Sequence, residues 1–104
     1  MDDKFKAILG FARRAGKIVS GESAAQALIN QGKAKLLILA LDAAPGTKRN
    51  FHHLAEKHSI KVIEWGNKLD LGIAIGHSPR SVVVILDEGF AKSLRKIGVG
   101  ESSN

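Results

Sequence analysis

Residues 35–41 read KLLILAL, one lysine followed by six apolar side chains in succession. A half-buried strand alternates apolar with polar, and an amphipathic helix returns to apolar every three or four positions. An unbroken apolar run this short fits instead a strand covered on both faces, at the centre of a sheet. A second run, SVVVIL at Ser81–Leu86, has the same character. Two such strands require helices on both sides of the sheet, and the rest of the chain supplies them.

Upstream, Asp2 and Asp3 stand where a helix dipole favours anions, and Phe5, Ile8, Leu9 and Ala12 recur at helical spacing until Gly16. Lys17–Ser20 has room only for a very short strand. Glu22–Gln31 carries Ala25, Leu28 and Ile29 on one face and meets Gly32 as its stop. Downstream, Pro45 is placed for a helix start, and Phe51, Leu54 and Ala55 give Thr47–His58 its apolar stripe. Ile60–Trp65, IKVIEW, reads as a strand. Asn67 suits an N-cap for a short helix over Lys68–Ile75, closed by Gly76. Ser78-Pro79-Arg80 makes a loop, and Asp87 caps a last helix to about Ile97. The expected fold class is α/β, a three-layer α/β/α sandwich with a mixed sheet of about four strands. Residues 1–98 are expected to form one domain and residues 99–104 a disordered tail.

A chain of 104 residues with 44% hydrophobic content supports one core. Sixteen Lys and Arg against ten Asp and Glu leave a net charge of +6. That balance favours polyanionic partners, nucleic acid first and an anionic membrane surface second. With no cysteine, disulfides, thiolate catalysis and cysteine zinc sites are excluded. The acidic start of MDDKFKAILGFARRAGK is unlike a secretory signal, and no apolar run approaches the length of a membrane span. A soluble, cytoplasmic protein is expected.

Gly10–Ile18, GFARRAGKI, has the outline of a phosphate loop and fails in three ways. Five residues rather than four separate Gly10 from Gly16, Ile18 stands where a Ser or Thr would hold magnesium, and the segment ends a helix instead of following a strand. Its Arg13, Arg14 and Lys17 serve either the helix dipole or a phosphate backbone. His52 and Glu56, at i and i+4, have no evident third ligand, so a metal site is not expected. Asp42 has no acid, His or nucleophile spaced to work with it, and capping the turn before Pro45 is its simpler role. Trp65 is expected under a neighbouring helix rather than against a base. The stretch Ser20–Ala27, SGESAAQA, starts a helix with Gly21 and small side chains at Ser23, Ala24 and Ala27. Two readings stay open for it: close approach of a bulky partner to free N–H groups, or close packing of the helix on the sheet.

The order of these motifs resembles the kink-turn-binding ribosomal protein superfamily, the ribosomal L7Ae and L30e fold. The matching residues are Gly16-Lys17-Ile18, Gly21, Gly32, Ala34-Lys35-Leu36, Asp42, Pro45, Lys68, Leu71-Gly72 and Gly76. LGFARRAGKIVSGE near the start and DEGFAK at Asp87–Lys92 are similar to a small bacterial branch of it, the YlxQ type. The resemblance implies the α/β/α sandwich and RNA binding without catalysis; no cofactor and no metal are expected. A glycine-led second helix and two adjoining loops would grip a sharply bent internal loop and its sheared G·A pairs. Where the family commonly has Asn, Glu and basic residues along that helix, this chain has Ser23, Ala24, Ala27 and Gln31, and Ser20 stands where a Lys is common. Pro79-Arg80 reverses a frequent order, which moves the cation by one residue.

The expected contact surface is therefore Gly21, Glu22, Ser23, Lys33, Lys35, Lys68 and Arg80, with a weaker or altered preference for kinked loops. The expected partners are structured RNA, ribosomal RNA among the candidates, and ribosomal or translation-associated proteins, with no membrane and a monomeric state. The alternative is a protein-interaction module on the same fold.

Overall fold

Among residues 3–103, which a computed structural model describes with side chains through residue 98, five helices alternate with four strands. In chain order they are α1 (Asp3–Arg14), β1 (Ile18–Ser20), α2 (Glu22–Asn30), β2 (Leu36–Leu39), α3 (Pro45–Lys57), β3 (Val62–Glu64), α4 (Lys68–Ala74), β4 (Val82–Ile85) and α5 (Glu88–Ser103).

The four strands form one sheet in the order β1-β4-β2-β3. The two wholly apolar runs, β2 and β4, are its central strands and pair antiparallel, with Leu36 opposite Ile85 and Leu39 opposite Val82. β1 joins β4 antiparallel, and β3 joins β2 in parallel through the α3 crossover. The sheet is mixed, as the sequence led one to expect.

Alternate side chains of the central strands enter separate cores. Leu36, Ile38, Val83 and Ile85 pack with Phe5 and Leu9 of α1, Leu71 of α4 and Leu94 of α5. Leu37, Leu39, Val82 and Val84 pack with Ala25 and Ile29 of α2 and Phe51 and Ala55 of α3. This is why neither run alternates: both of its faces are inside. Each fully buried aliphatic side chain contributes about 1.5–3 kcal/mol of transfer free energy. Trp65 is 7% exposed and stacks on Phe5 with ring centroids 5.0 Å apart, so it belongs to the first core.

Several helix ends close as their residues suggest. At Gly16 the N–H of Lys17 donates to Ala12 O and that of Gly16 to Arg13 O, and at Gly32 the same pair of bonds recurs. Asn67 accepts from the Asp70 N–H at 2.7 Å while Asp70 accepts from the Asn67 N–H at 3.2 Å, a reciprocal cap for α4. Pro45 opens α3, as its placement suggested. β3 is shorter than IKVIEW, although Lys61 O and Trp65 N–H on its flanks still bond Leu37 and Leu39 of β2. Backbone of α5 continues to Ser103, beyond Ile97. The division into a domain and a disordered tail remains an expectation, since the side chains of 99–104 lie outside the described residues, as does Asp2 with the helix-dipole role given to it. No helix among the described residues is long and apolar enough to cross a membrane.

Candidate functional site

The registers Ser20 to Val83, Leu39 to Val82 and Leu39 to Glu64 bring the last residues of β1, β2 and β3 and the first of β4 to one end of the sheet. Four connections meet there: Gly21 into α2, 40–44 into α3, 65–67 into α4, and 75–81 into β4. Backbone bonds lock them together. Gly21 N–H donates to Val82 O at 3.0 Å, Ala40 N–H to Ser81 O at 2.9 Å, Leu41 N–H to Gly66 O at 2.7 Å and Arg80 N–H to Lys68 O at 3.0 Å.

Gly21 is the N-cap of α2, with φ 98° and ψ 149°, and supplies no side-chain acceptor. That backbone conformation is essentially restricted to glycine. A Cβ built on Gly21 would meet nothing within 4 Å, so the space before it is open. Ala25 N–H is the first to bond back, to Gly21 O. The N–H groups of Glu22, Ser23 and Ala24 thus have no acceptor within the helix and carry its partial positive charge. Ser23, Ala24, Ala27 and Gln31 are exposed, whereas Ala25 and Ile29 face the core. The sheet does not use the smallness of Ser23, Ala24 and Ala27, which removes the packing explanation for them.

Around this ledge, Thr47 Oγ1 lies 3.4 Å from both Glu22 carboxylate oxygens. Arg80 donates from Nε to Ser20 Oγ at 3.0 Å and from Nη1 to Ser78 Oγ at 2.7 Å and Pro79 O at 3.2 Å. Its guanidinium therefore ties the loop before β4 to the residue before Gly21. Lys68 N–H donates to Asp42 Oδ1 at 2.7 Å, which fixes the start of α4 against the end of β2. Asp42 thus caps α4 from outside rather than the turn before Pro45.

The structure brings together Gly21, Glu22, Ser23, Lys68 and Arg80. It does not bring Lys33 and Lys35 to them. Lys33 N–H closes the far end of α2 on Leu28 O, and Lys35 N–H bonds Ile85 O at the start of β2, the opposite end of the sheet. The lengths of α2 and β2 lie between the two groups, so Lys33 and Lys35 stand apart from the Gly21 end.

Three contributors were given no part in the contact surface by the sequence, although Gly72 stood among the matching residues. Gly72, inside α4, faces the returning loop: an added Cβ would lie 2.8 Å from the Ser78 carbonyl carbon and 2.9 Å from His77 O. A lone glycine within a seven-residue helix was the available signal. Leu41 and Leu69 are each 56% exposed beside Asp42 and Lys68, and offer apolar contact at the same end.

His52 bonds Glu64 rather than Glu56, through Nε2 and Oε2 at 2.8 Å, and Lys48 Nζ lies 3.0 Å from Glu64 Oε1. The His52 hydrogen bond, with Lys48 adding a second bond and its charge, holds the Glu64 carboxyl below its usual range against the opposing effect of burial. Among the described residues no group of three or more metal-ligating side chains is gathered.

These elements define a class, a single-sheet α/β/α module whose glycine-led helix, flanking loops and two cations share one exposed end. The chain belongs to the ribosomal protein L7Ae/L30e/S12e/Gadd45 family, whose profile matches residues 3–95. It falls in the YlxQ-type branch of that family. It is 33% identical over 90 residues to the RNA-binding protein YlxQ of Enterococcus faecium, covering 86% of each chain. To the RNA-binding protein YlxQ of Bacillus subtilis it is 34% identical over 87 residues, 84% of this chain and 87% of the other. A solved structure of a protein with unknown function from Bacillus halodurans superposes with a TM-score of 0.89 at 32% identity, covering 92% of this chain and 97% of that one.

Proposed function

We propose that the chain is a non-enzymatic RNA-binding protein that receives a sharply bent RNA at the Gly21 end. The observation that carries this is the open ledge: three free N–H groups and exposed small side chains beside Gly21, flanked by Lys68 and Arg80. Free helix N–H groups donate to phosphate or base oxygens, cations neutralise backbone, and the absence of long side chains leaves room for folded polynucleotide. RNA is read through shape and unstacked nucleotides more than through duplex edges, and Leu41 and Leu69 offer surfaces for such nucleotides. The names of the relatives agree with this class of ligand.

Recognition of sheared G·A pairs is weaker or altered here, because Ser23 retains only part of an amide's bonding capacity and Ala24 and Ala27 have none. We further propose that the protein works in the cytoplasm as a monomer, bound to ribosomal or other structured RNA. Filter binding to kinked and unkinked transcripts tests the reading. The kinked RNA is expected to bind more tightly, with affinity falling steeply as salt rises, and Lys68→Ala is expected to weaken all transcripts alike. Equal indifference to kink, salt and Lys68→Ala would instead favour a protein partner on the same ledge.

A further inference from the structure

The end of the sheet opposite Gly21 gathers a second set of cations. Lys61 leads into β3, while Lys92, Arg95 and Lys96 lie on one face of α5, and together these four line a groove of about 370 Å³. An adjoining hollow of about 410 Å³ shares Lys61 and Arg95 with it and adds Lys35, one of the two lysines that the Gly21 end does not use. The single carboxylate in either lining is Glu88, which pairs with Arg95. Among the described residues, Lys35, Lys61, Lys92 and Lys96 make no ion pair.

The fold uses Arg95, which pairs with Glu88 and donates to Lys35 O, but it pairs none of these lysine side chains. Lys92 and Lys96 stand one turn apart on a helix, where like charges repel. The exposed large apolar residues, Phe11, Leu41, Leu69 and Ile73, all lie elsewhere, so the groove has no apolar wedge with which to enter a lipid surface. Long cations around an open trough, its three lysines without an ion pair, suit a linear polyanion contacted through its backbone, without base reading.

We propose that this groove is a second RNA-backbone site, so that the protein bridges two RNA segments, one at Gly21 and one along α5. The bridging rests on the RNA reading of the Gly21 end; the affinity of the groove for phosphate backbone does not. The site takes its second segment by charge and without sequence preference.

The test uses full-length protein, a plain RNA duplex and a kinked transcript, with Lys92→Gln/Lys96→Gln compared to Lys6→Gln/Arg49→Gln, which removes the same charge from other faces. The α5 double variant is expected to lose about ten-fold or more in affinity for the plain duplex, with its salt slope reduced by about two, while kinked-RNA binding changes far less. Circular dichroism checks that both variants fold. Equal duplex binding by the two double variants would overturn the proposal. So would retained duplex binding together with loss of binding to vesicles of anionic phospholipid, which would reassign the groove to membranes. If duplex binding depends on Lys92 and Lys96 but the native protein binds a kinked transcript no more tightly than plain duplex, the groove stands and the reading of the Gly21 end falls.

Discussion

Arg80 Nε donates to Ser20 Oγ across 3.0 Å, joining residues 60 apart in sequence at the point where α2 begins. The bond holds the loop before β4 beside the open N–H groups of α2. Hydrogen bonds to charged groups are worth about 1.5–3 kcal/mol each. Arg80→Ala is therefore expected to weaken RNA binding by about 10- to 100-fold and to lower thermal stability as well. Arg80→Lys keeps the charge but not the planar fork, and an intermediate affinity in filter binding is expected. Native affinity in Arg80→Lys would mean that the tie to Ser20 does not position the site.

Gly72→Ala would force its new methyl group into the Ser78 carbonyl, and the loop over 77–80 would have to move. Overpacking of this kind costs about 1–3 kcal/mol. The variant is expected to unfold earlier in urea and, where still folded, to bind RNA poorly because Arg80 is displaced. Gly10→Ala serves as its counterpart: its Cβ meets only Ala74 O, at 3.8 Å, so it should gain up to about 1 kcal/mol of helix stability.

Ser59 is the one non-glycine residue with positive φ among the described residues, at 57°, where it closes α3. The N–H of Ile60 bonds Ala55 O and that of Ser59 bonds Glu56 O, a geometry usually given to glycine. Ser59→Gly is expected to raise stability by about 0.5–1 kcal/mol, read as a shift in urea midpoint with unchanged slope.

Glu64 is ionised more readily in the folded chain than at its ordinary value of 4.5, first because of the His52 hydrogen bond. A lowered carboxyl pKa stabilises the fold at every pH above 4.5, and this contribution disappears as pH falls through the folded value. The pair is partly exposed, so the loss belongs at the low end of the ~0.2–1 kcal/mol typical of such contacts. Urea midpoints measured from pH 6 down to pH 3 should show Glu64→Gln losing less stability than the native chain.

The layers were legible because KLLILAL and SVVVIL have no polar face to expose, and Leu36 through Leu39 divide between two cores as such a run must. Asn67 and Gly32 were legible for the same local reason: their roles are set by neighbours within a few residues. The contact surface was less so. Lys33 and Lys35 follow the glycine-led helix closely in sequence, yet the lengths of α2 and β2 separate them from Gly21, and strand direction is not written in composition. Asp42 finds its partner, the Lys68 N–H, 26 residues away, and the contact of Gly72 with Ser78 exists only after the loop folds back. Such pairings depend on how elements meet rather than on what each element contains.

The most direct measurement is an amide chemical-shift titration of the labelled protein with a kinked RNA at low salt. The account expects the largest shifts at Gly21, Glu22, Ser23 and Ala24, with Lys68 and Arg80 following. Saturable binding that leaves these amides unmoved and shifts only the opposite end of the sheet would contradict it.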